Sequence, residues 1–203
     1  MVNLIPPKEE VIKILEENGA YTHGHFVNKK GKHTSHHFRV PWAFHYYDNA
    51  RILAVGLSRL LRMDKKVSSN LPKITMISPS AHVIPVVFSI REALNAEQIF
   101  WANDSDGARQ FPQYVKDCDL YPCIVVDDII RSGDTMRETF RIVKSLGATI
   151  IGCGTIVKFA DGPNEIEGVE VKALVEFDCR YYDSEKEWEA AEGNDSPVEE
   201  IRF

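Results

Sequence analysis

Between residues 47 and 177 the chain alternates two apolar patterns, and this alternation constrains the fold more than any other feature. Apolar residues recur at helical spacing over 47–62, over 83–94, and through Met136, Phe140, Val143 and Leu146. Between and around these segments lie short apolar runs at 74–78, 96–102, 122–127, 148–157 and 169–177. Runs of that length read as strands, and strands alternating with helices imply an α/β fold with a mainly parallel sheet flanked by helices. A further amphipathic helix is expected over 7–18, where Val11, Ile12, Ile14 and Leu15 interrupt charged residues.

At 203 residues and 44% hydrophobic composition, one well-cored domain is expected, over residues 1–182. The N-terminal stretch has early charges and Pro6 and Pro7 in place of an apolar signal-peptide core. No apolar run approaches the roughly 20 residues that a membrane span needs. Cys118, Cys123, Cys153 and Cys179 form no CxxC pair and fit reduced thiols in a cytoplasmic protein. Residues 183–203 hold eight acidic and two basic side chains, so this end alone carries the net charge of −6. It reads as a solvated, partly disordered acidic tail, and no extended basic stripe invites nucleic acid.

Charge is unmixed in one other place. Between Glu17 and Asp48 there is no acidic residue, while Lys29, Lys30, Lys32, Arg39 and six of the seven histidines fall there. Anion binding and an ordinary basic surface both fit this interval. His33, His36 and His37 have no zinc-ligand spacing, which leaves phosphate or base contact and plain surface histidines as their readings. The polar stretch 103–121 is too long for a simple connection and is expected to be a mobile functional loop.

The segment "IVVDDIIRSGDTM" (124–136) carries the chemistry. In a parallel sheet, ligands bind where strands end, so Asp127 and Asp128 are expected at such an end. The loop Arg131, Ser132, Gly133, Asp134 and Thr135 then feeds a helix N-terminus, where unpaired N–H groups and the helix dipole attract an anion. Hydroxyl-binding carboxylates beside an anion cradle suit a phosphorylated sugar. The chain has no GxxxxGK[ST] loop, and receiver-type carboxylate pairs lack the glycine-centred cradle. A strand–turn–helix in which Asp134 is only an N-cap is the bland alternative.

These thirteen residues closely resemble the phosphoribosyl-pyrophosphate (PRPP) motif of type I phosphoribosyltransferases. "FVNKKGKHTSHHF" (26–38) is similar to the N-terminal segment of the orotate-specific branch of that family, and "ARQF" (108–111) to part of its mobile loop. The resemblance covers roughly residues 8–180. It implies a small N-terminal hood, about residues 1–45, over the sheet. It also implies that Asp127 and Asp128 bind the ribose and that residues 131–135 bind the 5′-phosphate. Lys29, Ser80, Ala81 and His82 are expected near pyrophosphate, and His37 and Phe38 near the base. Asp128 and Arg109 become the catalytic candidates, with Mg²⁺ carried in by PRPP and held by no dedicated protein ligands. The implied activity is PRPP-dependent transfer of ribose 5-phosphate to a small nitrogenous base, a pyrimidine such as orotate, by a homodimer in nucleotide metabolism. The sequence departs from the family where the loop after the first core strand, "SPSAHVI" (78–84), lacks its usual glycine, and where Trp101–Asn103 replaces an Arg-Lys start. A purine acceptor and a PRPP-binding protein without turnover are the alternatives.

Overall fold

A computed structural model describes residues 4–28, 30–105, 108–111, 115, 118–193 and 198–200. The chain begins with α1 (Lys8–Glu17), then the strands β1 (Tyr21–Val27) and β2 (His33–Phe38), a 3₁₀ turn at Val40–His45 and α2 (Tyr47–Arg62). The short α3 (Lys65–Ser68) leads to β3 (Thr75–Ser78), a 3₁₀ turn at Ala81–Val83, α4 (Ile84–Leu94) and β4 (Gln98–Trp101). A small hairpin, β5 (Asn103–Ser105) and β6 (Ala108–Gln110), lies within the stretch expected as a mobile loop. Then follow β7 (Cys123–Ile130), α5 (Asp134–Ser145), β8 (Ile150–Phe159), β9 (Glu165–Ile166), β10 (Val169–Phe177), α6 (Glu185–Glu192) and β11 (Val198–Glu200).

The main sheet runs β4-β3-β7-β8-β10-β9, and every pairing except β9 with β10 is parallel. Side chains alternate across β7. Ile124 and Val126 pack with Val11, Leu57 and Ile90, while Cys123 and Val125 pack with Phe140 and Val143 of α5. Apolar layers on both faces explain why these strands read as continuous hydrophobic runs. Pro85 sits in the first turn of α4, where its missing N–H costs no helical bond.

Two sequence expectations are corrected. The first concerns β7, which does not end at the acidic pair. Its pairing with β3 stops at Val125, yet pairing with β8 continues through Asp127 to Ile130. The pair therefore lies within a strand, beside the gap where β3 has ended.

The second concerns the acidic end, which is docked wherever it is described. Ser184 caps α6 by accepting from the Glu187 N–H, and Trp188 is 1% exposed. The Trp188 indole N–H donates to Ser35 Oγ at 2.9 Å, and its ring stacks on His25 at 3.6 Å. Val198–Glu200 adds to the edge of β1 in parallel register. One buried indole thus anchors a helix whose other residues face water and supply the charge. The N-terminal sheet β11-β1-β2 is completed by the far end of the chain.

Candidate functional site

The strand connections fix where a ligand can enter. From β3 the chain crosses by α4 to β4 on one side, and from β7 it crosses by α5 to β8 on the other. The crevice between β3 and β7 is thus the point at which the winding reverses, the usual ligand position in open α/β sheets. Asp127 and Asp128 stand there, with only 6% and 9% exposed. Their oxygens accept from the backbone N–H groups of Asp128 and Ile129, at 3.0 and 2.9 Å. Burial pushes the Asp127 carboxyl well above the ordinary range, the Asp128 carboxylate adds to the rise, and Arg109 opposes it. Burial also raises Asp128, against which the nearby His82 acts.

The turn beyond β7 is built around Gly133, whose φ of +78° lies in the left-handed region. As N-cap of α5 it brings no capping side chain, and in the first turn the Asp134 N–H donates to Ser132 Oγ at 3.4 Å. Asp134 lies one residue inside the helix. Its carboxylate accepts from Ser132 Oγ (2.9 Å) and Arg137 Nη1 (2.8 Å), which makes it a brace of the loop's shape. A Cβ on Gly133 would lie 2.8 Å from Pro163 Cγ. Gly133→Ala is therefore expected to cost about 1–3 kcal/mol from left-handed strain alone. Thermal denaturation should show a drop of several degrees, and an unchanged midpoint would contradict the assignment of this turn.

A cavity of about 620 Å³ opens beside the loop. Its lining brings the expected base contacts His37 and Phe38 together with Arg131, Ser132 and Asp134 of the cradle. Burial and the neighbouring Arg39 lower the His37 pKa, which favours its neutral ring. Phe38 is fixed by stacking on Tyr21 at 4.9 Å and by an edge contact with Phe177. Asp127, Asp128, Ser80, Ala81 and His82 do not line this cavity: the acidic pair and Ser80 are buried, and Ala81 and His82 are exposed. Arg109, on β6, donates from Nη1 to the Thr135 carbonyl at 3.1 Å and pairs with Glu138 at 3.5 Å, bracing α5 from outside the cavity. Lys29 lies outside the described residues.

The glycine-free loop takes ordinary backbone. Ser80 is extended (φ −158°, ψ 161°), Val83 is near-helical (φ −88°, ψ −6°), and Ser78 Oγ donates to the Ser80 carbonyl at 2.8 Å. No left-handed position is needed, so the β-branched Val83 fits. Sequence reasoning missed Phe159 and Tyr181, which also line the cavity. Phe159 sits at the end of β8 inside an otherwise ordinary core run, and Tyr181 belongs to no motif.

A model of the phosphoribosyl transferase domain matches residues 112–188. The orotate phosphoribosyltransferase of Aeropyrum pernix superposes with a TM-score of 0.63 at 16% identity, covering 90% of this chain and 98% of that one. Residues 112–188 are thus similar to a phosphoribosyl transferase domain, and the chain as a whole shares the fold of that solved protein. In sequence it is similar to the orotate phosphoribosyltransferase of Caldanaerobacter subterraneus, 25% identical over 88% of this chain and 90% of the relative. The Thermotoga maritima orotate phosphoribosyltransferase is 26% identical over 85% and 88%. Among the described residues no helix is long and apolar enough to cross a membrane.

Proposed function

We propose that this protein transfers ribose 5-phosphate from PRPP to a nitrogenous base, with orotate the favoured acceptor, and releases pyrophosphate. The supporting observation is the buried acidic pair at the winding switch, followed directly by the glycine-capped N-terminus of α5. In this reading Asp127 and Asp128 accept from the ribose hydroxyls, and the N–H and hydroxyl groups of 131–135 hold the 5′-phosphate. As the anomeric C–O bond breaks, its electron pair leaves with pyrophosphate and positive charge grows on the ribose. The buried carboxylates stabilise that charge, and the base nitrogen then forms the new C–N bond. Asp128 is the proposed proton acceptor, Arg109 a brace for the phosphate helix that can also favour an ionised Asp127, and Ser80, Ala81 and His82 the pyrophosphate side.

Two adjacent carboxylates offer hard oxygen ligands, and no larger His/Cys/Asp/Glu cluster suited to a metal occurs among the described residues. This donor set fits a magnesium ion that arrives on PRPP oxygens and keeps several waters. Bound there, it would neutralise charge on the departing diphosphate.

The test is purified protein with Mg²⁺, PRPP and a panel of orotate, uracil, adenine and hypoxanthine, followed by nucleotide and pyrophosphate assays. Orotidine 5′-monophosphate is the expected product. Conversion of a purine instead would change the acceptor and keep the chemistry. PRPP binding by calorimetry with no product from any base would leave a binding protein, and no binding at all would defeat both readings.

A further inference from the structure

We propose that Tyr181 is a positioning and specificity-determining residue: its ring fixes the Arg131 guanidinium at the phosphate loop and joins Phe38 and Phe159 as a stacking wall for a planar aromatic base. The inference rests on the phosphoribosyl-transfer reading above and adds to it the groups that orient both ligands.

Arg131 is the cation of the 131–135 loop, and its side chain is exposed. A free arginine there would spend most of its time in other rotamers, and ordering one on ligand binding costs side-chain entropy. In this protein its Cζ already lies 3.7 Å from the centroid of the Tyr181 ring. Such a contact is worth about two- to fivefold in affinity at an exposed site and offsets part of that ordering cost before a phosphate arrives.

Tyr181 can hold an arginine because it is itself held. Its ring stacks near Phe159, 6.3 Å between centroids and 24° between planes. The next residue, Tyr182, exchanges two backbone hydrogen bonds with His33 of β2, both 2.9 Å. Asp183 pairs with Lys32, which also lines the cavity. The ring therefore sits where the end of the core sheet is stitched to the N-terminal strands. Phe38, Phe159 and Tyr181 all line the cavity that contains Arg131. Three aromatic walls select a flat heterocycle over an aliphatic amine, because ring faces contribute most when stacked.

The experiment compares PRPP binding and steady-state kinetics for wild type, Tyr181→Phe, Tyr181→Leu, Tyr181→Ala, Arg131→Ala and the double variant. Tyr181→Ala should weaken PRPP about two- to fivefold and raise KM for the base, with kcat falling less than either. Tyr181→Phe should restore both to near the wild-type values, since it keeps the ring, whereas Tyr181→Leu should not. In the Arg131→Ala background, removing Tyr181 should add little further loss in PRPP affinity, the mark of two groups acting as one. Should Tyr181→Ala fail to fold, the Leu and Phe variants carry the comparison. Wild-type-like PRPP affinity in Tyr181→Leu, or full additivity with Arg131→Ala, overturns the assignment and leaves the transferase reading intact. A wild-type protein that does not bind PRPP overturns both.

Discussion

Asp127→Asn is expected to raise the melting midpoint of the ligand-free protein at pH 8 by about 2–4 °C, on the order of 1 kcal/mol, while lowering kcat by about 10²–10³. The stability gain follows from the raised pKa of the buried carboxyl. An unfolded aspartate titrates near 3.9, so between that value and the higher folded value the native state binds the extra proton. The favourable contribution is complete below the unfolded pKa and is lost as pH rises through the folded one. Above the folded pKa the wild type holds a charge in a dry strand and the asparagine variant does not. The amide oxygen of that variant can still accept from the Asp128 N–H, so the local bond at 3.0 Å survives. The stabilisation should shrink toward pH 4, where the native aspartate is protonated as well. Melts at both pH values decide the matter, and an equal gain at each, or a loss at pH 8, would contradict the electrostatic account. The kinetic loss has the same origin, since the desolvated charge is what the developing positive ribose requires.

Trp188→Ala should be the most damaging single truncation outside the main sheet. The indole is 1% exposed, covers the face of His25 and satisfies Ser35. Removing a buried tryptophan typically costs about 3–5 kcal/mol. For a protein of this size that amounts to roughly 10 °C in melting midpoint. Trp188→Phe keeps a ring over His25 and loses only the hydrogen bond, for about 1 kcal/mol. The functional consequence should be one-sided. Loss of α6 loosens β1 and β2, which bear Phe38 and His37 and flank Lys30 and Lys32, so base affinity should fall further than PRPP affinity. A Trp188→Ala protein within 1 kcal/mol of wild type by denaturant unfolding, or one losing PRPP and base affinity equally, would refute this.

The parts legible in the sequence are those whose residues answer to local physics. Strands β3, β7, β8 and β10 are covered on both faces, so their composition announces them. The β7–α5 turn was readable because a carboxylate pair, a left-handed glycine and a helix start must follow one another within a few residues. Strand β2, "HTSHHF", has no apolar rhythm, because Ser35 inside it is buried by bonding to Trp188 and not by oil. The acidic end misled for the complementary reason. Seven of the eight residues of α6 are not buried, and the composition of such a helix matches that of a solvated tail. Tyr181 had no signature because its place is set by its neighbour's pairing with His33, far away in sequence.

That long-range stitching bears on how the protein comes into being on the ribosome. The β7–α5–β8 unit and its anion cradle are made from neighbouring residues and can form early. Ser35 and Trp188 are 153 positions apart, and β1 pairs with residues 198–200. Contacts of such separation close slowly and late. The cradle for phosphate should exist before the wall for the base, and a nascent chain stalled near residue 180 would display the first without the second.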